Sequence, residues 1–183
     1  MRAVAIFILL SWLAIGCHGS KSTQALATNG QINSWTVYFS PHGGCAEAII
    51  NELDKAKQSV FVQAYSFTSA IIAKGLVNAK RRGVQVEVIL DQGQRKSHYG
   101  AVDFLLHAAI PTRLDGAHAI AHNKVIIIDK ETVITGSFNF TRAAEERNAE
   151  NLLILRDSVL AAKYLENWNN HARHSMLVHS NSY

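Results

Sequence analysis

Val125-Ile126-Ile127-Ile128 is a run of four branched aliphatic residues, and it sharply limits what the surrounding chain can become. Such a run reads as a strand covered on both faces, because alternate side chains of a strand point to opposite surfaces. Thr132 to Thr135 is β-branched as well and returns antiparallel after a short polar break. The hairpin therefore belongs in the middle of a sheet with helices on either side.

The rest of the chain fits that frame. Trp35–Phe39, Val60–Tyr65, Val84–Leu90, Ile110–Leu114 and Asn151–Leu155 read as strands. Helical spacing marks Ala46–Lys57, with Ile49, Ile50 and Leu53 on one stripe, and Ala70–Arg82, closed by Gly83. Val102–Ala108 and Thr141–Arg147 are short helices, and Ser158 to about Arg173 a final long one, while Gln92–Gly100 reads as an exposed loop. No linker, low-complexity run or internal repeat interrupts the alternation. The expected fold class is one α/β domain, a mixed β-sheet sandwiched between helices.

The polar residues of the hairpin carry the chemistry. His122 and Lys124 alternate onto one face of their strand. If Lys130-Glu131 is a two-residue loop, Asp129 pairs with Thr132, Lys124 falls opposite Ser137, and His122 opposite Asn139. Directly opposed residues share a face, so an imidazole, an ammonium, a hydroxyl and a carboxamide would meet one phosphate. A slip of one residue would send Ser137 and Asn139 to the other face. Lys-Glu is not the Asn-Gly type of turn such loops prefer, which leaves room for a bulge to adjust the register. Taken singly, each of these residues has an ordinary structural reading, and Glu145 and Glu146 read as charges on an exposed helix face.

His122-Asn123-Lys124 with Asp129, the downstream Gly136-Ser137-Phe138-Asn139 and the later Asn148-Ala149-Glu150-Asn151 resemble the phospholipase D superfamily, and most closely its small bacterial endonucleases with one motif per chain. The similarity extends from Tyr38-Phe39-Ser40-Pro41 and Ala64-Tyr65-Ser66-Phe67-Thr68 to the closing Ser182-Tyr183. The resemblance implies a phospholipase D-like fold and a sequence-nonspecific endonuclease acting on DNA or RNA. It also implies a ping-pong route through a phosphohistidine at His122, with Glu150 holding the other imidazole nitrogen and no cofactor. Lys124, Ser137 and Asn139 would bind the phosphate. Asp129, the motif's carboxylate, alternates away from His122 and is assigned a structural role at the hairpin. Superfamily members usually carry two motifs facing each other, and this chain has one His-x-Lys, so a homodimer is implied. The competing function is a lipid phosphodiesterase of the phospholipase D or cardiolipin-hydrolysing type.

Residues 1–27 read as a signal peptide. Met1-Arg2 is a positive start, Ala3–Ile15 an apolar core broken only by Ser11, and Ala25-Leu26-Ala27 a cleavage site that would release residues 28–183 to the periplasm or medium. Ala14-Ile15-Gly16-Cys17 is an imperfect lipobox. A lipoprotein signal ending at Gly16 would leave Cys17 acylated and the enzyme tethered to a membrane. Without the leader Cys45 is the one cysteine, so no intrachain disulfide can form.

Losing Arg2 and Lys21 lowers the formal charge from +4 to about +2, since no acidic residue precedes Glu47. Lys74, Lys80, Arg81, Arg82, Arg95 and Lys96 form a cluster that gains meaning beside a phosphate site, because phosphate contacts supply most sequence-independent affinity. The nine histidines show no zinc-site spacing with cysteine, and His171-x-x-His174 reads as solvated helix surface. No metal is expected.

Overall fold

The computed structural model describes residues 32–96 and 101–179, so both cleavage points of the expected leader lie outside the described residues. Among the described residues eight strands form one sheet. They are β1 (Ser34–Ser40), β2 (Ser59–Ala64), β3 (Gln85–Asp91), β4 (Thr112–Asp115), β5 (Lys124–Ile128), β6 (Thr132–Gly136), β7 (Glu150–Arg156) and β8 (Met176–Leu177). Their order across the sheet is β1-β7-β6-β5-β2-β3-β4-β8. β2, β3 and β4 run parallel, and the other pairings are antiparallel. The helices are α1 (Cys45–Lys55), α2 (Ala70–Arg81), α3 (Ala101–His107), α4 (Arg142–Glu146) and α5 (Ser158–His174). This is the expected mixed α/β sandwich. Two details differ from the expectation. Gln92–Lys96 forms a 3₁₀ turn where an open loop was expected, and the two-residue β8 is too short to leave a pattern in the sequence.

The four aliphatics of β5 are all buried and divide between two cores, as their alternation requires. Ile126 and Ile128 join Ile49, Leu53, Ile72 and Leu76 beneath α1 and α2. Val125 and Ile127 join Phe61, Val133 and Leu155 beneath α5, whose Trp168 packs into the same core. Each fully buried aliphatic of this size contributes roughly 1.5–3 kcal/mol relative to exposure. The Trp168 indole N–H donates to the Val62 carbonyl at 2.9 Å, so the ring enters the core with its polar atom satisfied. The α5 side of the sheet is not fully covered. Trp35 and Phe39 on the edge strand β1, opposed to Leu155 and Asn151 of β7, are 64% and 65% exposed.

The hairpin turn departs from the expected pairing. Asp129 and Lys130 both adopt positive φ (53° and 60°), and the Glu131 N–H donates to the Ile128 carbonyl at 3.0 Å. The turn is thus centred one residue early, and Ile128, not Asp129, lies opposite Thr132. The physical reason is Asp129 itself. Asp tolerates the left-handed conformation that a tight hairpin demands, and here its carboxylate accepts the backbone N–H groups of Lys57, Gln58 and Ser59 at 2.9, 2.7 and 2.9 Å. The side chain ties the α1–β2 connection to the hairpin. These contacts lie at the end of β5 away from Lys124.

Candidate active site

With the turn shifted, Val125 pairs with Thr135, so one step further Lys124 falls opposite Gly136 and not Ser137. A bulge repairs the phase. Gly136 pairs with Leu152 of β7, after which the N–H groups of both Ser137 and Phe138 donate to the Asn151 carbonyl at 3.1 Å. Two residues of this strand thus oppose one of β7. Gly136 permits this turn of the chain. Its φ is +146°, and a Cβ at that position would collide with the Asn151 carbonyl oxygen. Phe138 and Phe140 are buried in the core beneath α1 and α2, leaving Asn139 between them.

Lys124 is 6% exposed, and its ammonium donates to the His122 carbonyl at 2.8 Å. It also lies 5.2 Å from the centre of the Tyr65 ring. Burial pushes its pKa below the ordinary lysine value, and the charge of Glu150 opposes that fall. The His122 side chain is exposed, and its ring packs on Tyr65 with centroids 4.6 Å apart. Tyr65 continues β2 and donates its N–H to the Asn123 carbonyl at 2.9 Å, which aligns the two segments. Sequence reasoning assigned Tyr65 no role. An aromatic residue immediately after a buried strand was the available signal.

Ser137 Oγ accepts from the backbone N–H and the side-chain amide of Asn151, at 3.0 and 3.3 Å. With its lone pairs engaged, the hydroxyl proton is the group left for an incoming acceptor such as a phosphate oxygen. Asn151 is therefore a positioning residue that sequence reasoning passed over. Asn139 is half-buried, and its Oδ1 is buried with no hydrogen-bond partner among the described residues. Glu150 is not joined to the imidazole in the single chain. Its carboxylate accepts from the Asn148 side chain at 3.1 Å.

Other expected placements change. Glu145 is not an idle surface charge, since it accepts the N–H groups of Gly44 and Ala46 at 3.2 and 2.8 Å and caps α1. The basic cluster divides between two ends of the sheet. Arg82 lies past the C-terminus of α2, donates to the Leu53 and Ala56 carbonyls and so closes α1. Arg95, following β3, lies at the end of the sheet where Lys124 begins β5. Of His171-x-x-His174, His174 is exposed as expected, whereas the His171 side chain is largely covered. Both imidazoles contact Asp115, which is fully buried.

A domain family described as cardiolipin synthase, PLD-like domain, matches residues 49–172. The chain belongs to the phospholipase D superfamily. A phospholipase D of Rickettsia conorii is 49% identical over 132 residues, covering 72% of this chain and 66% of that protein. A phospholipase D of Rickettsia prowazekii is 38% identical and covers 97% of this chain and 90% of its own length. Human mitochondrial cardiolipin hydrolase is 32% identical over 69% of this chain and 50% of that protein. Among solved structures, the phospholipase D family member Nuc from Salmonella typhimurium superposes with a TM-score of 0.77 at 38% identity. It covers 80% of this chain and 99% of Nuc. The matched segment includes His122, Lys124, Ser137, Asn139 and Glu150.

Proposed function

We propose that this phospholipase D-superfamily chain is an exported phosphodiesterase that cuts nucleic acid, DNA or RNA, without reading sequence. The observation that carries the reading is the pairing of a buried Lys124 ammonium with an exposed His122 imidazole. The lysine supplies fixed positive charge in a site of low polarity, where it acts most strongly on a phosphate. The histidine stands where a long polymer can reach it from solvent. The likeness to Nuc along nearly all of Nuc's length also supports a nuclease.

Chemistry follows from pairing two such sites. One His122 attacks phosphorus, forming a P–N bond as the bond to the leaving oxygen breaks. The other subunit's imidazole donates its proton to that oxygen. It then takes a proton from water, which attacks phosphorus and frees the first histidine. The Lys124 ammonium groups with the Ser137 hydroxyl and Asn139 amide hold the phosphate oxygens throughout. No step draws on a metal. Trp35 and Phe39 support a dimer, because β1 opposes the strand that bears Glu150 and Asn151 and exposes an apolar strip beside them.

A lipid phosphodiesterase is the second reading, favoured by the names of the Rickettsia relatives and the human cardiolipin hydrolase. One experiment separates the two. Protein lacking residues 1–27 is incubated in excess EDTA with plasmid DNA, and in parallel with cardiolipin-containing vesicles. Nicked and fragmented plasmid beside unchanged lipid is the expected result. Intact plasmid beside released phosphatidic product would replace the nuclease by the lipid enzyme.

A further inference from the structure

Asp115 ends β4 with no exposed surface, and three imidazoles converge on it. Its Oδ2 lies 2.6 Å from His171 Nδ1, 3.3 Å from His174 Nε2 and 3.9 Å from His118 Nε2. The ring centroids stand 5.0, 5.2 and 5.3 Å apart, close to an equilateral triangle. One potential ligand atom from each of the four residues lies within 4.8 Å of all the others. Burial alone would raise the Asp115 carboxyl. Hydrogen bonds from His171, the Ala117 N–H and His174 outweigh it and hold the group below its ordinary value, as a carboxylate.

We propose that Asp115, His118, His171 and His174 bind a divalent ion of the zinc class, at a site separate from the catalytic His122. Three imidazoles, which are borderline donors, and one carboxylate oxygen are all ligands zinc accepts, and its structural sites take four. A tetrahedral zinc with bonds near 2.0–2.1 Å would place its ligand atoms about 3.4 Å apart. The widest pair, within 4.8 Å, therefore closes by up to about 1.4 Å, while His171 Nδ1 and Asp115 Oδ2, now 2.6 Å apart, separate by about 0.8 Å, both within reach of side-chain rotation. His171 and His174 are one helical turn apart on α5 and face the same way. The backbone around them is already braced. Arg113 of β4 donates to the Ala172 and Ser175 carbonyls, and Leu114 pairs with Met176, so the end of α5 is fixed against the strand that bears Asp115. Solvent reaches the site past His118 and His174, whose side chains are 46% and 38% exposed. Spacing alone hid this group, because its halves, Asp-x-x-His and His-x-x-His, stand far apart in the sequence.

The ion would join α5 to the β4–β5 connection, which carries His118 and then His122. Binding would thus fasten the connection that leads to His122, and the proposed phosphodiester chemistry itself does not use the ion.

The test uses the chain without a polyhistidine tag, stripped by chelator and dialysed, then titrated calorimetrically with Zn²⁺ alone. One ion per chain should bind with submicromolar affinity and raise the melting temperature. Co²⁺ in its place should give the visible absorption of a four-coordinate ion. His118→Ala and His174→Ala should each weaken binding by at least tenfold, whereas His107→Ala and His122→Asn should leave it unchanged. His118 lies on an exposed connection, so that variant folds even if changes on α5 do not. Absence of stoichiometric binding would overturn the proposal. So would zinc affinity that survives His118→Ala, or that disappears with His122→Asn.

Discussion

Lys124 is buried where a neutral side chain would be less costly. Its ammonium keeps one backbone acceptor, the His122 carbonyl, and one carboxylate, Glu150, whose charge opposes the fall in its pKa. The direction of a pH effect follows. The proposed mechanism requires the protonated lysine, and removing the Glu150 charge lets the Lys124 pKa fall further. Glu150→Gln should therefore move the alkaline limb of the pH–rate profile to lower pH, and an unmoved limb would show that Lys124 does not set it. Lys124→Met should lose about 10³-fold or more in kcat/KM, since oriented charge at the transition state is commonly worth several kcal/mol. Its thermal stability should equal or exceed that of the native chain, because the desolvation cost disappears. His122 makes the opposite case. It is exposed, so His122→Asn should abolish turnover while changing stability by no more than about 0.5 kcal/mol. Substantial residual activity in that variant would remove His122 from the mechanism.

At the scale of elements, the β5–β6 hairpin shows what a sequence can and cannot convey. Val125 to Ile128 left little doubt about a central strand, because only two covered faces accommodate them. The strand–helix alternation was legible for the same reason, down to Gly83 closing α2. Register was less legible, since it depended on whether Asp129 or Lys130 led the turn. Asp129 led because three backbone donors from the α1–β2 connection, distant in sequence, fix its carboxylate in place. The histidine cluster escaped for a related reason, since Asp115 and His171 meet only after β4 and α5 pack. These readings make separable predictions. Asp129→Asn weakens the three backbone contacts and should lower stability by about 1–2 kcal/mol in urea unfolding, with kcat little changed. Gly136→Ala strains the backbone and strikes the Asn151 carbonyl, so it should cost about 2 kcal/mol or more and also lower activity through Ser137. If Asp129→Asn instead lost activity while keeping its stability, the division between the two ends of β5 would be wrong.

For the whole molecule, the decisive quantity is the number of His122 side chains per reacting phosphate. Each chain supplies one, whereas the proposed displacement needs a nucleophile and an acid on opposite sides of phosphorus. A shared site makes every heterodimer of native and His122→Asn subunits defective. An equal mixture, allowed to exchange, should therefore retain roughly one quarter of native activity and not one half. A linear decline with the native fraction would mean that each chain works alone.

The two tryptophans remaining beyond residue 27 also sit in opposite surroundings. Trp168 is shut inside the core beneath α5, with its indole hydrogen-bonded, while Trp35 stands exposed on the edge strand. Fluorescence of the dilute protein should hence contain a long-wavelength component, owed to Trp35, that Trp35→Phe removes. In the proposed dimer that strip is covered, so the component should shift to shorter wavelength as concentration rises. The concentration at its midpoint would measure the dissociation constant without any label.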